Sequence, residues 1–409
     1  MIYLRKEDIE GMSISELKRY KLQMSIIGLL YDNKSMMASD LSRILNISLP
    51  TIRSLMDFLI SKNVVLSSDP DKNRMGRKPV VYSLNGSAYF ICVVMVEHYR
   101  TKMVVYNCAN QMVTSVLDVE TNIDDERFDE KLKDGYNLLL TSASLSDQQI
   151  VAIGVGMPGL INIMDGINHT IKDEHHRDVV FRLTKCFQKT VYIENDARMQ
   201  ALGELTFGRA REVSNALIVN WNWGLGLGMI LNNKVYRGSS GFSGELSHIR
   251  IVDNGDLCEC GKRGCLQTIA SARKLVRWAQ DEVKNGAVSM LTERFKNNPN
   301  TILPIDVINS ARKGDELSIR LLHDLSMNFA WGLSILIQLY NPELIVITGP
   351  LSRAGHLIEI PLQMAINKYC LSNIAGKVRL QISDQDDDYG LPGVAVMVFH
   401  RLFRDRSID

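Results

Sequence analysis

Long apolar stretches are missing from this chain of 409 residues: no run of about eighteen consecutive apolar residues occurs, which argues against an ordinary membrane-spanning helix. The amino terminus also lacks a basic stretch followed by an apolar one, the pattern of a secretory signal, because its first ten residues include five charged side chains of both signs. We therefore expect a cytoplasmic protein without membrane insertion. An apolar content of 45% indicates packed globular cores rather than disorder.

Cysteine is scarce, and its distribution is therefore informative. Of the seven cysteines, four stand alone and are typical of core residues, at positions 92, 108, 186 and 370. The other three, Cys258, Cys260 and Cys265, fall within eight residues and follow His248. One imidazole and three thiolates suit tetrahedral zinc, and the spacing differs from the Cys-x-x-Cys of reactive dithiols. The pattern predicts a closed structural zinc site, the alternative being three unrelated buried thiols.

The amino-terminal end predicts three short helices. Residues 13–31 carry apolar side chains at helical spacing, and the pair Ser39-Asp40 is predicted to cap a second helix. A third helix is predicted after Ser48, with Pro50 in its first turn, where the missing N–H of proline costs nothing. Its apolar residues would face a core and its polar residues would face outward.

Two strands follow these helices, at 64–66 and 80–82, joined by a turn-rich loop. The loop carries the basic residues Arg74, Arg77 and Lys78. Three helices and a basic hairpin predict a winged helix-turn-helix over residues 1–86. This segment also has an excess of positive charge, with 13 Lys and Arg against 9 Asp and Glu, whereas the remainder has 34 against 37.

A winged helix-turn-helix binds DNA with its third helix in the major groove. Short polar and guanidinium side chains at the start of that helix reach base edges, so the candidate readers are Thr51, Arg53 and Ser54. The basic loop residues Arg74, Arg77 and Lys78 would contact phosphate or a minor groove. The alternative is a small dimerisation module with a charged but idle loop.

Beyond residue 86 the pattern changes to strands followed by alternating helices and strands, and this order occurs twice. We therefore predict an α/β protein whose larger part has two similar lobes, at 87–200 and 201–409. We expect ligands where lobes meet and at the carboxyl ends of strands.

Two acid-bearing stretches fall at such strand ends. Glu194-Asn195-Asp196 follows a predicted strand directly, and Glu245 stands three residues before His248. Amide and carboxylate groups together donate and accept the hydrogen bonds that vicinal sugar hydroxyls require. A second interpretation of Asn195 and Asp196 is a helix cap, and both roles are compatible.

These residues resemble the ROK family of sugar kinases and repressors, and most closely its repressor branch. The match spans essentially the whole chain, and its most specific part is Cys258-x-Cys260-Gly-x-x-Gly-Cys265 with the preceding His248. The resemblance implies an actin-like or hexokinase-like (ribonuclease H-like) two-lobed fold, with the carboxyl-terminal helix packing back on the first lobe.

The resemblance also implies which residues contact sugar, namely Asn195, Asp196, Glu245 and His248, with Asp196 matching the general base of the kinases. A further family contact is a Glu two residues after the last cysteine. This chain has Gln267 there, whose neutral amide still bonds hydroxyls.

The nucleotide loops depart from the family. The kinases open their first hairpin with an Asp-x-Gly-Gly-Thr type loop, whose backbone amides hold phosphate. This chain instead has bulky and charged side chains over 97–100, and Trp223 stands in the second hairpin, where the kinases have Gly-Thr-Gly. One retained base without a phosphate cradle predicts that the protein is not an enzyme.

The expected function is therefore a sugar-responsive transcriptional repressor of carbohydrate genes. The expected partners are operator DNA, further copies of the chain in a homodimer or homotetramer, and a sugar or sugar phosphate as the effector. Among such effectors the family resemblance favours an amino sugar or a sugar phosphate. Two alternatives stay open at this point: a sugar kinase with an accessory DNA-binding domain, and a repressor controlled by a protein partner.

Overall fold

The computed structural model describes residues 11–68, 80–121, 123, 125–383 and 388–404. The predicted wing residues Arg74, Arg77 and Lys78 lie outside these ranges. The chain forms two compact units. The first comprises the described residues of 1–156, 173–193 and 394–409, and the second those of 157–172 and 194–393. The division into domains at 86 and 200 stays a prediction.

The amino-terminal part of the first unit consists of three helices and a small sheet. Its elements are α1 (Ile14–Asn33), β1 (Ser35–Met37), α2 (Ala38–Leu45), α3 (Leu49–Ser61), β2 (Val65–Ser68) and β3 (Val81–Leu84). The three strands are antiparallel in the order β1-β3-β2, with Ser35 opposite Ser83 and Val65 opposite Leu84. Apolar side chains of α1 and α3 are buried, among them Ile26, Leu30, Ile52 and Leu59.

Local chemistry explains most of these helix boundaries. Ser13 begins α1 through a reciprocal capping box with Glu16, and Asn46 ends α2 in a left-handed conformation with φ 53°. The predicted cap at Ser39-Asp40 is wrong. Helix α2 begins at Ala38 without a side-chain cap, because β1 holds the chain in its pairing with β3 as far as Met37.

The remainder of the first unit is built on a five-stranded sheet. Its strands are β4 (Phe90–Val96), β5 (Arg100–Asn107), β6 (Leu117–Glu120), β7 (Ile150–Met157) and β10 (Thr190–Asn195), in the order β10-β7-β4-β5-β6. Its helices are α4 (Phe128–Ser142), α5 (Glu174–Arg177), α6 (Val179–Phe187) and most of α15 (Gly390–Arg404). Strands β4 and β7 are buried along their whole length, as continuous apolar runs require.

The carboxyl-terminal helix α15 makes two close contacts within the first unit. A Cβ at Gly154 of β7 would come within 2.4 Å of Val398, so glycine permits the helix to approach the sheet. The end of α15 also packs against α1: the ring of Tyr31 lies tilted against that of Phe399 and edge-on to that of Phe403, with centroids 5.6 and 5.5 Å apart.

The second unit repeats this architecture around another five-stranded sheet. Its strands are β11 (Ala216–Trp221), β12 (Leu225–Leu231), β13 (Lys234–Val235), β14 (Leu344–Thr348) and β15 (Arg379–Ile382), in the order β13-β12-β11-β14-β15. In both sheets three consecutive strands form an antiparallel meander. The first strand of each meander also pairs in parallel with a later strand, β4 with β7 and β11 with β14. The predicted repetition is therefore confirmed by the strand order.

Helices surround the second sheet and enclose its core. They are α7 (Asp196–Thr206), α8 (Gln267–Ala270), α9 (Ala272–Lys284), α10 (Met290–Phe295), α11 (Pro304–Arg312), α12 (Glu316–Tyr340), α13 (His356–Tyr369) and α14 (Ser372–Ala375). A two-stranded ribbon of β8 (Ile161–Asn162) and β9 (Ile167–Asn168) belongs to the same unit. At the core centre, Trp221 packs on Phe329 at 4.5 Å and donates to the carbonyl of Ala270.

No single helix among the described residues has the length and apolar content to cross a membrane, although the sharply bent pair α2 and α3 passes that test when taken together.

Candidate ligand and metal site

The predicted sugar residues Asn195 and Asp196 lie where β10 meets the amino terminus of α7. Asn195 caps this helix: its Oδ1 accepts from the backbone N–H of Ala197 at 3.0 Å and of Arg198 at 3.2 Å. Its Nδ2 donates to the carbonyl of Gly159 at 3.2 Å. The capping role of Asn195 is thus confirmed, and it fixes the position of the neighbouring Asp196.

Glu194 is fully buried just before this cap and lies between two arginines. Its Oε1 accepts from Arg198 at 2.8 Å and its Oε2 from Arg237 at 3.0 Å. Burial opposes ionisation of Glu194, but the two guanidiniums outweigh it and hold its pKa below the ordinary value. The ion pairs join the end of β10 to α7 and to the segment after β13.

Asp196 is partly buried at the first position of α7. Burial raises the pKa of its carboxyl, despite the opposing backbone N–H of Ala197, the charge of Arg198 and the amide of Asn220. Asn220 Nδ2 donates to Asp196 Oδ2 at 3.2 Å. This hydrogen bond orients the carboxyl of Asp196. In its ionised form the carboxyl accepts a hydrogen bond from a hydroxyl group.

Glu245 directly precedes a short 3-10 turn, Leu246–His248, and His248 is the last residue of that turn. Glu245 Oε2 lies 4.0 Å from His248 Nε2. Burial raises the pKa of Glu245. The positive charge of Arg198 lowers this pKa, whereas the Asp196 carboxylate raises it further. The charges of Asp196 and Glu245 therefore interact, and His248 lies beside Glu245.

His248 turns its other nitrogen toward three cysteines. The ligand atoms of His248, Cys258, Cys260 and Cys265 all lie within 4.8 Å of one another. Nδ1 of the histidine is 3.6 Å from Cys258 Sγ, and the sulfurs of Cys260 and Cys265 are 3.6 Å apart. Tetrahedral zinc with ordinary bond lengths gives ligand separations of about 3.6 to 3.8 Å. Burial lowers the pKa of His248, which favours the neutral imidazole that a metal needs.

Glycine and short backbone hydrogen bonds shape the loop that carries these ligands. Gly264 has φ +77°, and a Cβ there would fall 1.7 Å from the carbonyl oxygen of Val252. The backbone N–H of Cys258 donates to the carbonyl of Lys262 at 2.8 Å, which closes the turn that carries the cysteine side chains. The predicted cluster of His248, Cys258, Cys260 and Cys265 is therefore a group that could hold a metal ion.

The amide of Gln267 contacts a cysteine of this cluster. Gln267 is 7% exposed at the first position of α8, and its Nε2 donates to Cys258 Sγ at 3.1 Å. The family resemblance implies a sugar contact for Gln267. The sequence gave no signal for its contact with Cys258, because nine residues separate Gln267 from that cysteine.

On α3 the candidate DNA readers Thr51, Arg53 and Ser54 are all exposed, while Ile52 and Leu55 are buried. Ser48 caps the helix and its Oγ lies 2.8 Å from the hydroxyl oxygen of Thr51. Arg53 and Ser54 therefore lie at the start of a helix whose buried face matches the predicted one.

The two hairpin turns in which the sequence predicts no phosphate loop carry side-chain contacts. Glu97 accepts from Arg100 at 2.8 Å and pairs with Lys102 at 3.0 Å across the β4–β5 turn. In the β11–β12 turn the N–H of Trp223 donates to Asn222 Oδ1 at 2.7 Å.

Sequence reasoning missed three residues that hold the site together: Arg198, Arg237 and Asn220. The i,i+4 spacing of Glu194 and Arg198 on one chain segment was an available signal. Arg237 lies 43 residues from Glu194 and Asn220 lies 24 residues from Asp196, so neither contact has a local pattern.

The chain belongs to the ROK family, whose sequence model matches residues 101–401. Its two repeated sheets are the mixed α/β, actin-like or hexokinase-like fold of that family. A xylose repressor of Caldicellulosiruptor bescii is 26% identical over 381 residues, covering 92% of this chain and 94% of that protein. A glucokinase of Thermotoga maritima is 29% identical over 253 residues, covering 61% of this chain and 80% of that protein.

A solved ROK family transcriptional regulator, a homologue of the E. coli MLC protein, has the same fold. It superposes with a TM-score of 0.75 at 21% identity, covering 94% of this chain and 99% of that one.

Proposed function

We propose that this protein is a sugar-responsive transcriptional repressor. The observation that carries the proposal is the extent of its likeness to the xylose repressor of C. bescii, which covers 92% of this chain, whereas the T. maritima glucokinase covers 61%. Because of its length, the longer match includes most of the amino-terminal helices and small sheet, which therefore have counterparts in that repressor.

The amino-terminal helices and sheet act as a winged helix-turn-helix over residues 1–86. Exposed Thr51, Arg53 and Ser54 at the start of α3 read base edges, and the loop residues Arg74, Arg77 and Lys78 bind phosphate. One such module reads too few base pairs for genomic specificity, so two copies of the chain bind one operator as a dimer or within a tetramer.

The sugar binds at the amino terminus of α7. Asp196 and Glu245 accept hydroxyl hydrogens, His248 contributes Nε2, and Asn195 contributes its amide beside the cap that it forms. Partial burial of these groups supports the assignment, since hydrogen bonds shielded from water discriminate strongly between ligands.

The ligand set of His248, Cys258, Cys260 and Cys265 holds one structural zinc ion per chain. The separations of about 3.6 Å match tetrahedral coordination, and all four positions are filled by protein, which leaves no place for a reacting water. Bound zinc supplies a rigid cross-link, and that cross-link fixes the ring of His248 with Nε2 toward Glu245. Elemental analysis of protein purified without chelator measures zinc directly, and a zinc-free preparation would refute this assignment.

Phosphoryl transfer is not part of this function, although Asp196 matches the kinase base. Side chains of Glu97, Arg100 and Lys102 pair across one hairpin, where a phosphate loop needs bare backbone amides. The test is ATP consumption with glucose, xylose and N-acetylglucosamine. Turnover with any of them would instead support the sugar kinase that the glucokinase match favours.

A thermal-shift panel of pentoses, hexoses, amino sugars and their phosphates tests the sugar site. A sugar at a hundredfold excess over its dissociation constant stabilises the folded protein by about 2.7 kcal/mol. We expect at least one hit, and we expect Asp196→Ala to abolish it while the exposed control Asp281→Ala keeps it.

A panel without hits, or a hit that persists in the Asp196→Ala protein, would contradict a sugar site at α7. Regulation through a protein partner would then become the better account.

A further inference from the structure

We propose that Gln267 is a positioning residue of the metal site, whose amide N–H stabilises the Cys258 thiolate. This inference rests on the zinc assignment made above. It assigns Gln267 to the cysteine cluster rather than to the sugar.

The contact that carries the proposal is short and sheltered. Gln267 Nε2 lies 3.1 Å from Cys258 Sγ, and the two residues are 7% and 3% exposed. A buried anion is costly unless it receives hydrogen bonds, and a thiolate shared with zinc still has lone pairs to accept them. An N–H donor at this distance therefore compensates charge that water does not reach.

The orientation of the amide follows from the same chemistry. A metal-bound thiolate is only an acceptor, so the NH2 of Gln267 faces Cys258 and the carbonyl oxygen faces away. The carbonyl end lies toward the β11–β12 turn, where a Cβ at Gly224 would be 3.5 Å from Oε1.

The backbone at Gln267 is fixed on both sides, which makes the donor preorganised. Leu266 is fully buried against Gly332 of α12, where a Cβ would come within 2.4 Å of its side chain. On the other side Asn328 Nδ2 donates to the carbonyl of Ile269 at 3.3 Å. Helix α8 thus holds the amide against the sulfur without a large entropic cost on metal binding.

Glutamate at this position would act in the opposite direction. A carboxylate has no N–H to donate and would place a second negative charge beside three thiolates. A methionine would keep the side-chain length but remove the donor. The two replacements therefore separate loss of the hydrogen bond from added repulsion.

The experiment measures zinc release from the full-length protein to a chromogenic chelator, for the wild type, Gln267→Met and Gln267→Glu. Partners that orient metal ligands typically contribute 10- to 100-fold in metal affinity. We expect release at least about tenfold faster in Gln267→Met and faster still in Gln267→Glu. The control Gln338→Met, on the exposed surface of α12, should match the wild type.

A cobalt-substituted sample gives a second readout that needs neither release kinetics nor DNA. Removing a hydrogen bond from a metal thiolate raises the energy of its lone pairs, so the sulfur-to-cobalt charge-transfer band of Gln267→Met should move to longer wavelength. Equal release rates and identical spectra in wild type and Gln267→Met would overturn the proposal. A wild-type protein that binds no zinc would instead refute the zinc assignment itself.

Discussion

Glu194 shows how one residue organises the candidate sugar site. It is fully buried, and it pairs with Arg198, which is 2% exposed, and with the more accessible Arg237. Each guanidinium donates through its Nε to a different carboxylate oxygen, so both oxygens of Glu194 are satisfied. The pairing fixes the chain immediately before Asn195 and Asp196.

The first prediction concerns this buried pair. Glu194→Gln should lower the free energy of unfolding by about 3 to 5 kcal/mol, because it leaves the Arg198 charge buried without its counterion. Urea denaturation followed by circular dichroism measures the change. In the control Glu282→Gln, which removes only a surface pair with Arg320, the loss should stay below about 1 kcal/mol. Equal effects of the two changes would contradict the buried pairing.

The second prediction concerns the pH dependence of sugar binding. Because the pKa of Asp196 is raised, its carboxylate takes up a proton at higher pH than an ordinary aspartate, and the protonated form loses one acceptor. Affinity for the sugar found in the panel should therefore be full at neutral pH and fall as the pH is lowered, beginning above the ordinary aspartate range near pH 4.

Isothermal titration across that pH range measures this dependence. Asp196→Asn keeps the shape of the side chain and removes its titration, so its weaker binding should show a smaller fall, the remainder coming from Glu245, whose pKa is also raised. An affinity of the wild type that stays constant down to about pH 4 would contradict the assignment.

At the scale of elements, the metal loop offers two glycines with the same conformation and different surroundings. Gly261 and Gly264 both have positive φ, at +83° and +77°. No atom lies within 4 Å of a Cβ placed at Gly261, whereas one at Gly264 would meet the backbone of Val252. The first therefore needs glycine for conformation alone, and the second also for close packing.

The third prediction separates these two causes. Gly261→Ala should cost about 1 to 2 kcal/mol, the penalty for a side chain in the left-handed region. Gly264→Ala should cost clearly more and should speed zinc release, because the loop must move away from Val252. Thermal denaturation and chelator competition measure both effects. Equal destabilisation by the two alanines would show that packing at Gly264 contributes nothing.

The fourth prediction concerns helix α3. Arg53→Ala should weaken specific operator binding by about 1 to 3 kcal/mol and relax sequence preference, because a base contact is lost. Arg77→Ala should instead weaken binding to all sequences and reduce the salt dependence. Arg127→Ala, an exposed arginine at the start of α4, is the control and should change neither. Unchanged operator affinity at fixed salt in both test variants would contradict this docking.

Much of the element order could be predicted because it rests on local pattern. The buried faces of α1 and α3 and the strands β4 and β7 follow from apolar spacing alone. Strand β6 covers only Leu117–Glu120, although apolar residues begin at Met112, since Met112 is exposed and forms a single isolated bridge with Tyr106. Strand β1 was missed because its three residues are strand only through pairing with β3.

The candidate site, like the element order, could be predicted only where it rests on local sequence pattern. The histidine and three cysteines that could hold a metal ion are close in sequence and chemically distinctive, so their cluster could be predicted, and Asn195 and Asp196 were recognisable at a strand end. Arg237 and Gln267 could not be placed in the same way. Their contacts with Glu194 and Cys258 depend on how distant segments pack, and their residue types are common on any surface.

At the scale of the whole molecule, α15 is the helix whose residues fall in both compact units. Its first turn lies in the second unit, where a Cβ at Gly393 would come 1.9 Å from the carbonyl oxygen of Met199 in α7. Its last turns lie in the first unit, where Phe403 and Arg404 contact Tyr31 and Asp32 of α1. Within the second unit α7 therefore packs on the first turn of α15, and within the first unit α1 packs on its last turns.

Control of DNA binding by sugar requires two arrangements of the molecule that the sugar distinguishes, with a coupling of about 1 to 3 kcal/mol. The coupling is reciprocal, so operator DNA should change sugar affinity by the same factor. A sugar that binds both arrangements equally would leave the operator affinity unchanged, however tightly it bound.

The most direct test of the account is operator affinity at fixed salt, measured by fluorescence anisotropy with and without the sugar that the panel identifies. We predict that the sugar weakens operator binding of the wild type by about 5- to 150-fold. It should leave Asp196→Ala, bound to the same operator, unaffected. An unchanged operator affinity of the wild type at saturating sugar, or an equal change in Asp196→Ala, would contradict a repressor controlled through this site.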